Sequence, residues 1–311
     1  MNSNYVQQDV PHCSLCTEPA VIYQRHIGRH LCGTHFTEDI KLRVAETVKS
    51  RQMIIPGDRV AVALSGGKDS TALLLLLNQL LPMWEDVRLI ALTIDEGIAG
   101  YREETIQSAE QLTHKLGIEH LCISFSELFG DSLDTFLNGR ETQACSICGI
   151  LRKKAMVVGA QRAGATKLAT GHNLDDEAQS VLMNVFRSDL PRLVRNSAHN
   201  SSGTFIPRIK PLSSISEKEI AIYLIQNEAW QVLPECPYSR YALRREVRSL
   251  LSGFEYKHPG TMLHLLESKQ KIERYCSGSV ISASLQSCRK CGDPCSGDRC
   301  QVCSLLQSLG K

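Results

Sequence analysis

The sequence predicts an α/β fold: a doubly wound parallel sheet flanked by small metal-binding modules at its N- and C-terminal ends. Three observations carry this expectation. Between residues 59 and 188, short apolar runs with strand character alternate with longer runs of helical periodicity. One strand-to-helix joint is the glycine loop Ser65-Gly66-Gly67-Lys68-Asp69-Ser70. The 311 residues also include 13 cysteines, and seven of them stand in C-x₂-C or C-x₂-H pairs close to the two ends.

The elements follow in chain order. Cys13-Ser-Leu-Cys16 and Cys32-Gly-Thr-His35 place two chelating pairs around a gap that suits a hairpin. Two residues between ligands let both side chains of a tight knuckle reach one tetrahedral Zn²⁺. Residues 1–50 are therefore expected to form an N-terminal zinc module. Arg59–Leu64 reads as a short buried strand and Thr71–Leu81 as an apolar helix, with the glycine loop between them. Arg88–Asp95, His120–Ser124 and Lys167–Thr170 read as further strands, and Arg102–Leu116, Cys145–Ala163 and Asp175–Ser188 as helices. Tyr241–Ser252 reads as a helix with basic residues on one side. Residues 51–275 make the expected catalytic domain. Ser277–Ser287 reads as a linker within a second zinc module, residues 276–311, whose ligands are Cys288, Cys291, Cys300 and Cys303. Four protein ligands per site leave no open position, so both zincs are expected to be structural. Cys122, Cys276 and Cys295 have no partner at useful spacing and read as small apolar side chains.

In a doubly wound sheet, ligands bind at the carboxyl ends of the strands. Three stretches fall there: Ser65–Ser70, Asp95–Tyr101 and Gly171–Glu177. In the first, Gly66 and Gly67 let backbone N–H groups approach an anion, and the helix N-terminus adds partial positive charge. Asp69 stands where a Walker A loop needs Ser or Thr, so that class of nucleotide loop is excluded. Lys68 with its small and hydroxyl neighbours suits a pyrophosphate. Asp69 suits Mg²⁺ or the internal order of the loop.

Composition narrows the class further. With 42% hydrophobic residues the chain can bury a core without disulfide staples. An aromatic content of 5% argues against a protein built on base-stacking platforms. The longest apolar run, Ala72–Leu77, is far short of the ~18 residues a membrane helix needs. Met1–Pro11 has no signal-peptide core. A cytoplasmic protein without a membrane partner is expected, and its reduced thiols read first as metal ligands or catalysts. The net charge of +2 is a cancellation: −7 over residues 1–138, +7 over 139–274 and +2 over 275–311. Arg187, Arg192, Arg195, Arg208 and Lys210 follow one helix, and Arg240, Arg244, Arg245 and Arg248 follow Cys236. That segregation suits a polyanionic partner such as RNA; the alternative is a solvated basic surface. Asn196–Gly203 reads as a mobile loop.

The glycine loop after a strand resembles the PP-loop of the ATP pyrophosphatases, which cleave ATP to AMP and pyrophosphate. Further stretches narrow the resemblance: Asp95-Glu-Gly-Ile-Ala-Gly-Tyr-Arg102, Cys145-Ser-Ile-Cys-Gly-Ile-Leu-Arg152, Thr170-Gly-His-Asn-Leu-Asp-Asp-Glu177, Val181-Leu-Met-Asn184 and Glu235-Cys236. With the two terminal cysteine sets, they resemble the TtuA/NcsA family of tRNA 2-thiouridine synthases over nearly the whole chain. The stretches at Asp95 and Cys145 look closer to the branch that thiolates the wobble uridine than to the T-loop branch.

The resemblance implies that uridine O2 is adenylated by ATP and then replaced by sulfur. It implies ATP with its pyrophosphate on Ser65–Ser70 and its adenine near Ala63, Ile94 and Gly171. Arg152 would neutralise the α-phosphate, and Asp175 or Asp176 would hold Mg²⁺ or position the base. The alternative for that acidic pair is charge complementing a helix dipole. Cys145, Cys148 and Cys236 would hold a [4Fe–4S] cluster with one iron lacking a protein ligand. Two other possibilities stay open for them. Cys145 and Cys236 can work as persulfide carrier and resolving thiol, their pKa values lowered by Arg152, Lys153 and Lys154. Alternatively, Cys145 and Cys148 only pack. A sulfur donor (a thiocarboxylated ubiquitin-like protein or sulfide) and a homodimer are implied as well. Uridine 34 of tRNA is the expected target; uridine 54, tRNA cytidine 2-thiolation and a non-enzymatic zinc-ribbon RNA scaffold are the alternatives.

Overall fold

The computed structural model describes residues 10–193, 206–239, 244–276 and 286–311. A hairpin of β1 (Ile22–Gln24) and β2 (Arg29–Leu31) leads into α1 (Gly33–Ser50). Strands and helices then alternate through β3 (Arg59–Ala63), α2 (Lys68–Leu80), β4 (Arg88–Asp95), α3 (Arg102–Leu116) and β5 (Glu119–Ser124). Two short helices, α4 (Phe125–Phe129) and α5 (Leu133–Leu137), precede α6 (Ala144–Arg162) and β6 (Lys167–Ala169). Next come α7 (Leu174–Phe186), α8 (Leu190–Leu193), β7 (Arg208–Ile209), α9 (Glu217–Gln226), α10 (Arg244–Lys257) and α11 (Thr261–Cys276). A last hairpin, β8 (Gln286–Ser287) with β9 (Pro294–Cys295), is followed by α12 (Gln301–Ser308).

The central strands are parallel, in the order β5-β4-β3-β6-β7. The chain builds outward from β3 in both directions, which puts a topological switch between β3 and β6. That crevice is where such sheets bind ligands. The period-2 alternation of strands decides which side chains face which layer. Val60 and Val62 join Phe36 of α1, Leu73 of α2 and Ala109 of α3 in one core. Ala61 joins Ile90, Leu92 and Ile123 against Leu151 and Ala155 of α6 in the other. Both faces are covered, so β3 and β4 read as unbroken apolar runs. Each fully buried leucine or valine contributes about 1.5–3 kcal/mol.

The two cysteine-rich ends attach differently. Cys13 and Cys32 are buried in the same core as Val60 and Val62 of the sheet, through Phe36, Ile40, Val44 and Val48 of α1. Arg43 of α1 also meets Glu219 of α9 at 2.5 Å. At the other end, Cys288, Cys300 and Cys303 make a small core of their own. That module docks on α6 through Val302, Leu305, Leu306 and Leu309 and an ion pair of Lys154 with Asp293 at 2.6 Å.

Several boundaries differ from those expected. The helix after the glycine loop starts at Lys68 rather than Thr71, because Gly67 is its extended N-cap. The Ser70 hydroxyl folds back to donate to Gly67 O at 2.8 Å, so Lys68, Asp69 and Ser70 form a first helical turn. The strand expected through Thr170 stops at Ala169. The next helix begins at Leu174, behind a capping box of Asn173 and Asp176. Strand β7 was not read, since two residues carry no periodicity. The expected helix over 241–252 is found as Arg244–Lys257. Gln286 and Ser287 belong to β8 rather than to a linker. Arg195, the stretch Asn196–Gly203, Arg240, Tyr241 and residues 277–285 lie outside the described residues, as do the side chains of Arg244 and Arg245. Among the described residues, no helix is long and apolar enough to cross a membrane.

Candidate active site

A cavity of about 410 Å³ opens at the carboxyl ends of β3, β4 and β6. Of the nucleotide residues expected from the sequence, Ala63, Ser65, Asp69, Ser70, Ile94, Arg152 and Gly171 line it. Gly66, Gly67 and Lys68 do not. A separate groove of about 660 Å³ runs beside the N-terminal cysteine set and holds none of the loop residues.

The loop is built by close approach. Gly66 has φ +83°, and a Cβ there would stand 2.2 Å from the Thr105 carbonyl oxygen, so only glycine fits. A Cβ on Gly171 would stand 3.0 Å from the backbone of Asp69 and Ser70, which shows how tightly the β6–α7 turn packs on the start of α2. The Ser65 N–H donates to Ser70 Oγ at 3.1 Å, and Asn173 Nδ2 donates to Asp69 Oδ1 at 3.0 Å. The first-turn N–H groups of α2 lack intrahelical partners, as an anion site requires.

Lys68 is engaged elsewhere. Its Nζ lies 2.9 Å from Asp69 Oδ2 and 2.9 Å from Glu217 Oε1. Glu217 in turn pairs with Arg248 of α10. Burial works against the Lys68 charge, but the two carboxylates outweigh it and raise the pKa. The acidic pair is split. Asp176 lines the cavity, whereas Asp175 Oδ2 accepts the Glu217 N–H at 2.8 Å, and burial raises the Asp175 pKa.

Glu96, Tyr101, Arg102 and His172, to which the sequence assigns no role in the pocket, are among the further residues lining the cavity. Arg102 is 3% exposed. Its Nη1 donates to Ser65 O at 3.1 Å and its Nη2 to Ile94 O at 2.5 Å, which ties the carboxyl ends of β3 and β4 together. Glu96, also 3% exposed, lies 2.9 Å from Arg102 Nε and 2.7 Å from Arg152 Nε. Tyr101 and His172 complete the wall. The available signal was a Glu and an Arg bracketing a glycine turn directly after a strand. Lys153 and Arg208 line the same cavity. Burial lowers both of their pKa values, with Arg208 and Arg192 adding to the effect on Lys153. Lys210 is not offered to a ligand, because its Nζ lies 2.5 Å from Glu177 Oε1.

The central cysteines meet beside this cavity. Cys145 is exposed, Cys148 buried and Cys236 half-buried. Cys145 and Cys148 are three residues apart on α6. Cys145 Sγ donates to Tyr238 O at 3.7 Å, which holds the Cys236 segment over that helix. Electrostatic contact links Cys236 to Cys145, to Cys148 and to Arg152. Arg152 Nη2 donates to Cys148 Sγ at 3.1 Å. Burial still pushes the Cys148 thiol up to about 11, and it raises Cys236 too. The basic field expected from Arg152, Lys153 and Lys154 thus reduces to Arg152. Lys154 is turned to Asp293, and Lys153 faces Arg192 and Arg208.

The terminal sets are tighter. Cys13, Cys16, Cys32 and His35 have ligand atoms within 4.8 Å of one another, and so do Cys288, Cys291, Cys300 and Cys303. His35 Nδ1 is 3.4 Å from Cys13 Sγ and 3.3 Å from Cys32 Sγ. Burial opposes ionisation of Cys13, but N–H donors from Cys32 and Leu15 bring its pKa to about 6. The Cys300 N–H, with those of Cys291 and Lys290, brings Cys288 to about 6. The neighbouring thiols resist sharing that charge: Cys16 and Cys291 are raised and Cys303 is pushed up to about 11, so each set holds one readily ionised sulfur among four donors of the kind that suits Zn²⁺. Among the described residues these are the two sets of such compactness. The central trio is not one of them. Cys122 is exposed on β5 rather than packed, and Cys276 and Cys295 are half-buried.

Known proteins share this arrangement. A family model described as a PP-loop domain matches residues 36–251. A second, described as the N-terminal LIM domain of 2-thiouridine synthetase TtuA, matches residues 12–37. The chain is 33% identical to the tRNA 2-thiolation protein NcsA of Haloferax volcanii, over 96% of this chain and 98% of that one. It is 34% identical to cytoplasmic tRNA 2-thiolation protein 1 of Caenorhabditis elegans, over 94% of this chain and 79% of that one. The solved U34-tRNA thiolase NcsA of Methanococcus maripaludis, described with its [4Fe–4S] cluster, superimposes with a TM-score of 0.84 at 31% identity, covering 96% of each chain. The two family models, the relatives and the shared fold together establish that this chain belongs to the TtuA/NcsA family of PP-loop proteins.

Proposed function

We propose that this chain is a tRNA uridine 2-sulfurtransferase that uses ATP to replace O2 of the wobble uridine 34 by sulfur. The observation that carries the reading is the union of a PP-loop cavity and a three-cysteine group through one residue, Arg152, which lines the first and touches the second.

The chemistry follows from the leaving group. A C2 oxygen is a poor one, and attaching AMP to it makes it a good one. Uridine O2 attacks the α-phosphorus of ATP, and pyrophosphate departs from the loop Ser65–Ser70. Ala63, Ile94 and Gly171 form the wall for adenine. Arg152 stands where charge builds at the α-phosphate, a preorganised electrostatic role. Asp176, which lines the cavity, is the better placed of the acidic pair to hold Mg²⁺ or the base, and Asp175 orders α9. A sulfur nucleophile then attacks C2 and expels AMP.

Cys145, Cys148 and Cys236 fit a [4Fe–4S] cluster by donor chemistry: three thiols beside the cavity, with Arg152 to balance their charge. When bound, such a cluster supplies an iron without a protein ligand, at which sulfur can be delivered. Burial raises the Cys236 pKa rather than lowering it, which runs against a role for that residue in the persulfide alternative. The terminal sets fit one structural Zn²⁺ each. Arg187, Arg192, Arg208 and Arg248 suit phosphate contacts that position the tRNA, with the target base flipped out of its stack. A sulfur donor (sulfide or a protein thiocarboxylate), a homodimer and a cytoplasmic location complete the reading, as does a division at about residues 50 and 275.

The test is an anaerobic incubation of cluster-loaded protein with tRNA, ATP and sulfide, read by nucleoside mass spectrometry and AMP release. Expected is 2-thiouridine with one AMP per thiolated base. AMP without 2-thiouridine, or 2-thiocytidine in its place, would overturn the reading.

A further inference from the structure

Glu96 sits where the nucleotide loop and the cysteine helix meet. Its side chain is 4% exposed, and its carboxylate spans two guanidiniums, Arg102 at 2.9 Å and Arg152 at 2.7 Å. Arg102 holds the carbonyls of Ser65 and Ile94, and Arg152 reaches Cys148. An unbroken series of contacts therefore runs from the phosphate loop to the cysteines, with Glu96 in the middle.

The electrostatics show why a carboxylate belongs there. A buried charge is costly, and an apolar side chain of similar volume often packs as well or better. Two arginines and one glutamate leave one positive charge in excess beside a cavity suited to a polyphosphate. Arg152 has a side chain 45% exposed and three acceptors within reach: the Glu96 carboxylate, the Cys148 sulfur and the phosphates of a nucleotide. Without Glu96 its guanidinium is free to settle on the ground-state phosphates. Such uniform binding tightens the substrate complex and adds nothing to the rate.

Resting on the adenylation reading above, we propose that Glu96 is a positioning residue: it holds Arg152 at the boundary between the nucleotide cavity and Cys148, oriented for the charge that develops at the α-phosphate. Glu96 touches neither the nucleotide nor the target base in this role and acts through Arg152.

Two substitutions of Glu96, a double variant with its R152K reference, and two readouts test it. Glu96→Gln keeps the shape and removes the charge. Glu96→Asp keeps the charge, but its shorter stem cannot reach both arginines. In calorimetry on cluster-free protein, E96Q is expected to bind ATP as tightly as wild type or up to several-fold tighter, and E96D within about twofold of it. Both are expected to lose about tenfold or more in kcat for tRNA-dependent AMP formation. Because Glu96 acts through Arg152, the double variant E96Q/R152K should turn over within about twofold of R152K alone. ATP affinity weakened by more than about threefold in both variants would show Glu96 to be pocket scaffold and overturn the proposal, as would an unchanged kcat or losses that multiply in the double variant. The calorimetry needs neither tRNA nor cluster, so it decides on Glu96 even if the thiolation reading itself fails in turnover.

Discussion

The terminal and central cysteines share the C-x₂-C spacing but not its chemistry. At the ends, Cys13–Cys16 and Cys288–Cys291 stand in turns, and Cys32 and Cys300 cap α1 and α12, so backbone N–H groups reach sulfur. Leu15 N donates to Cys13 Sγ at 3.4 Å, and Cys300 N donates to Cys288 Sγ at 3.3 Å. In the middle, Cys145 and Cys148 lie inside α6, whose N–H groups are spent on the helix ladder. There the sulfur of Cys148 takes its donor from a side chain, Arg152. Backbone N–H groups at the ends lower one thiol in each closed, four-ligand set. A helical pair backed by one arginine leaves its sulfurs apart, one of them exposed, beside a nucleotide cavity. Spacing alone names a pair of ligands; whether a second pair stands against it decides whether the site closes or stays open.

The largest expected effect separates the two regions by function. Cys145→Ser or Cys236→Ser should lower 2-thiouridine formation by about a hundredfold or more, since a ligand is lost where even outer-shell changes cost about 10–100-fold. ATP binding should stay near wild type, as neither residue lines the nucleotide cavity. Retained thiolation would move the sulfur chemistry away from the centre.

The next effect separates the two ends by stability. Cys32 shares the main core, whereas Cys288 belongs to a small one. Cys32→Ala should therefore lower the main unfolding transition by about 10 °C, corresponding to about 3–5 kcal/mol in a domain of this size. Cys288→Ala should leave that transition within about 3 °C and loosen the C-terminal module alone. Differential scanning calorimetry compares them, and equal losses would contradict the unequal attachment.

A third effect concerns pH. Burial raises Cys148 to about 11, so in the folded, cluster-free, zinc-loaded protein the thiol stays neutral below that value. Its alkylation by iodoacetamide, read by peptide mass spectrometry, should be slow at pH 8 and accelerate as pH rises toward about 11. Rapid labelling at neutral pH would mean that Arg152 outweighs burial at Cys148 and would contradict the contrast with the terminal sets.

How far these features were legible in the sequence follows from their range. The alternation of strands and helices, the glycine loop and both terminal sets depend on residues near in the chain, and local spacing exposed them. The start of α2 at Lys68 was missed because Gly67 acts as an extended cap, which a Gly-Gly pair does not announce. Glu96 and Arg102 lay inside a quoted stretch without a role, because their partners Ser65 and Arg152 come from distant segments. The same range effect hid the engagement of Lys68 with Glu217 and Arg248, and the division of labour between Asp175 and Asp176. Spacing likewise suggested that Lys153 and Lys154 serve the cysteines, but the helical turn carries one to Arg208 and the other to Asp293.

The smallest expected effect tests how the C-terminal module meets the cysteine helix. Lys154→Ala removes a surface ion pair and should cost about 0.2–1 kcal/mol, readable as a slight fall in unfolding midpoint. Thiolation should hold, because Val302, Leu305 and Leu306 still pack against α6. A large loss of activity would mean that the ion pair, rather than apolar contact, sets the helix.

Metal analysis of anaerobically prepared protein beside its Cys145→Ser variant tests the division between closed and open cysteine sites most directly. About four irons and two zincs per chain are expected in the wild type, and the variant should keep both zincs while losing its iron. Iron retained in the variant, or a colourless wild type that stays fully active with iron chelated, would contradict it.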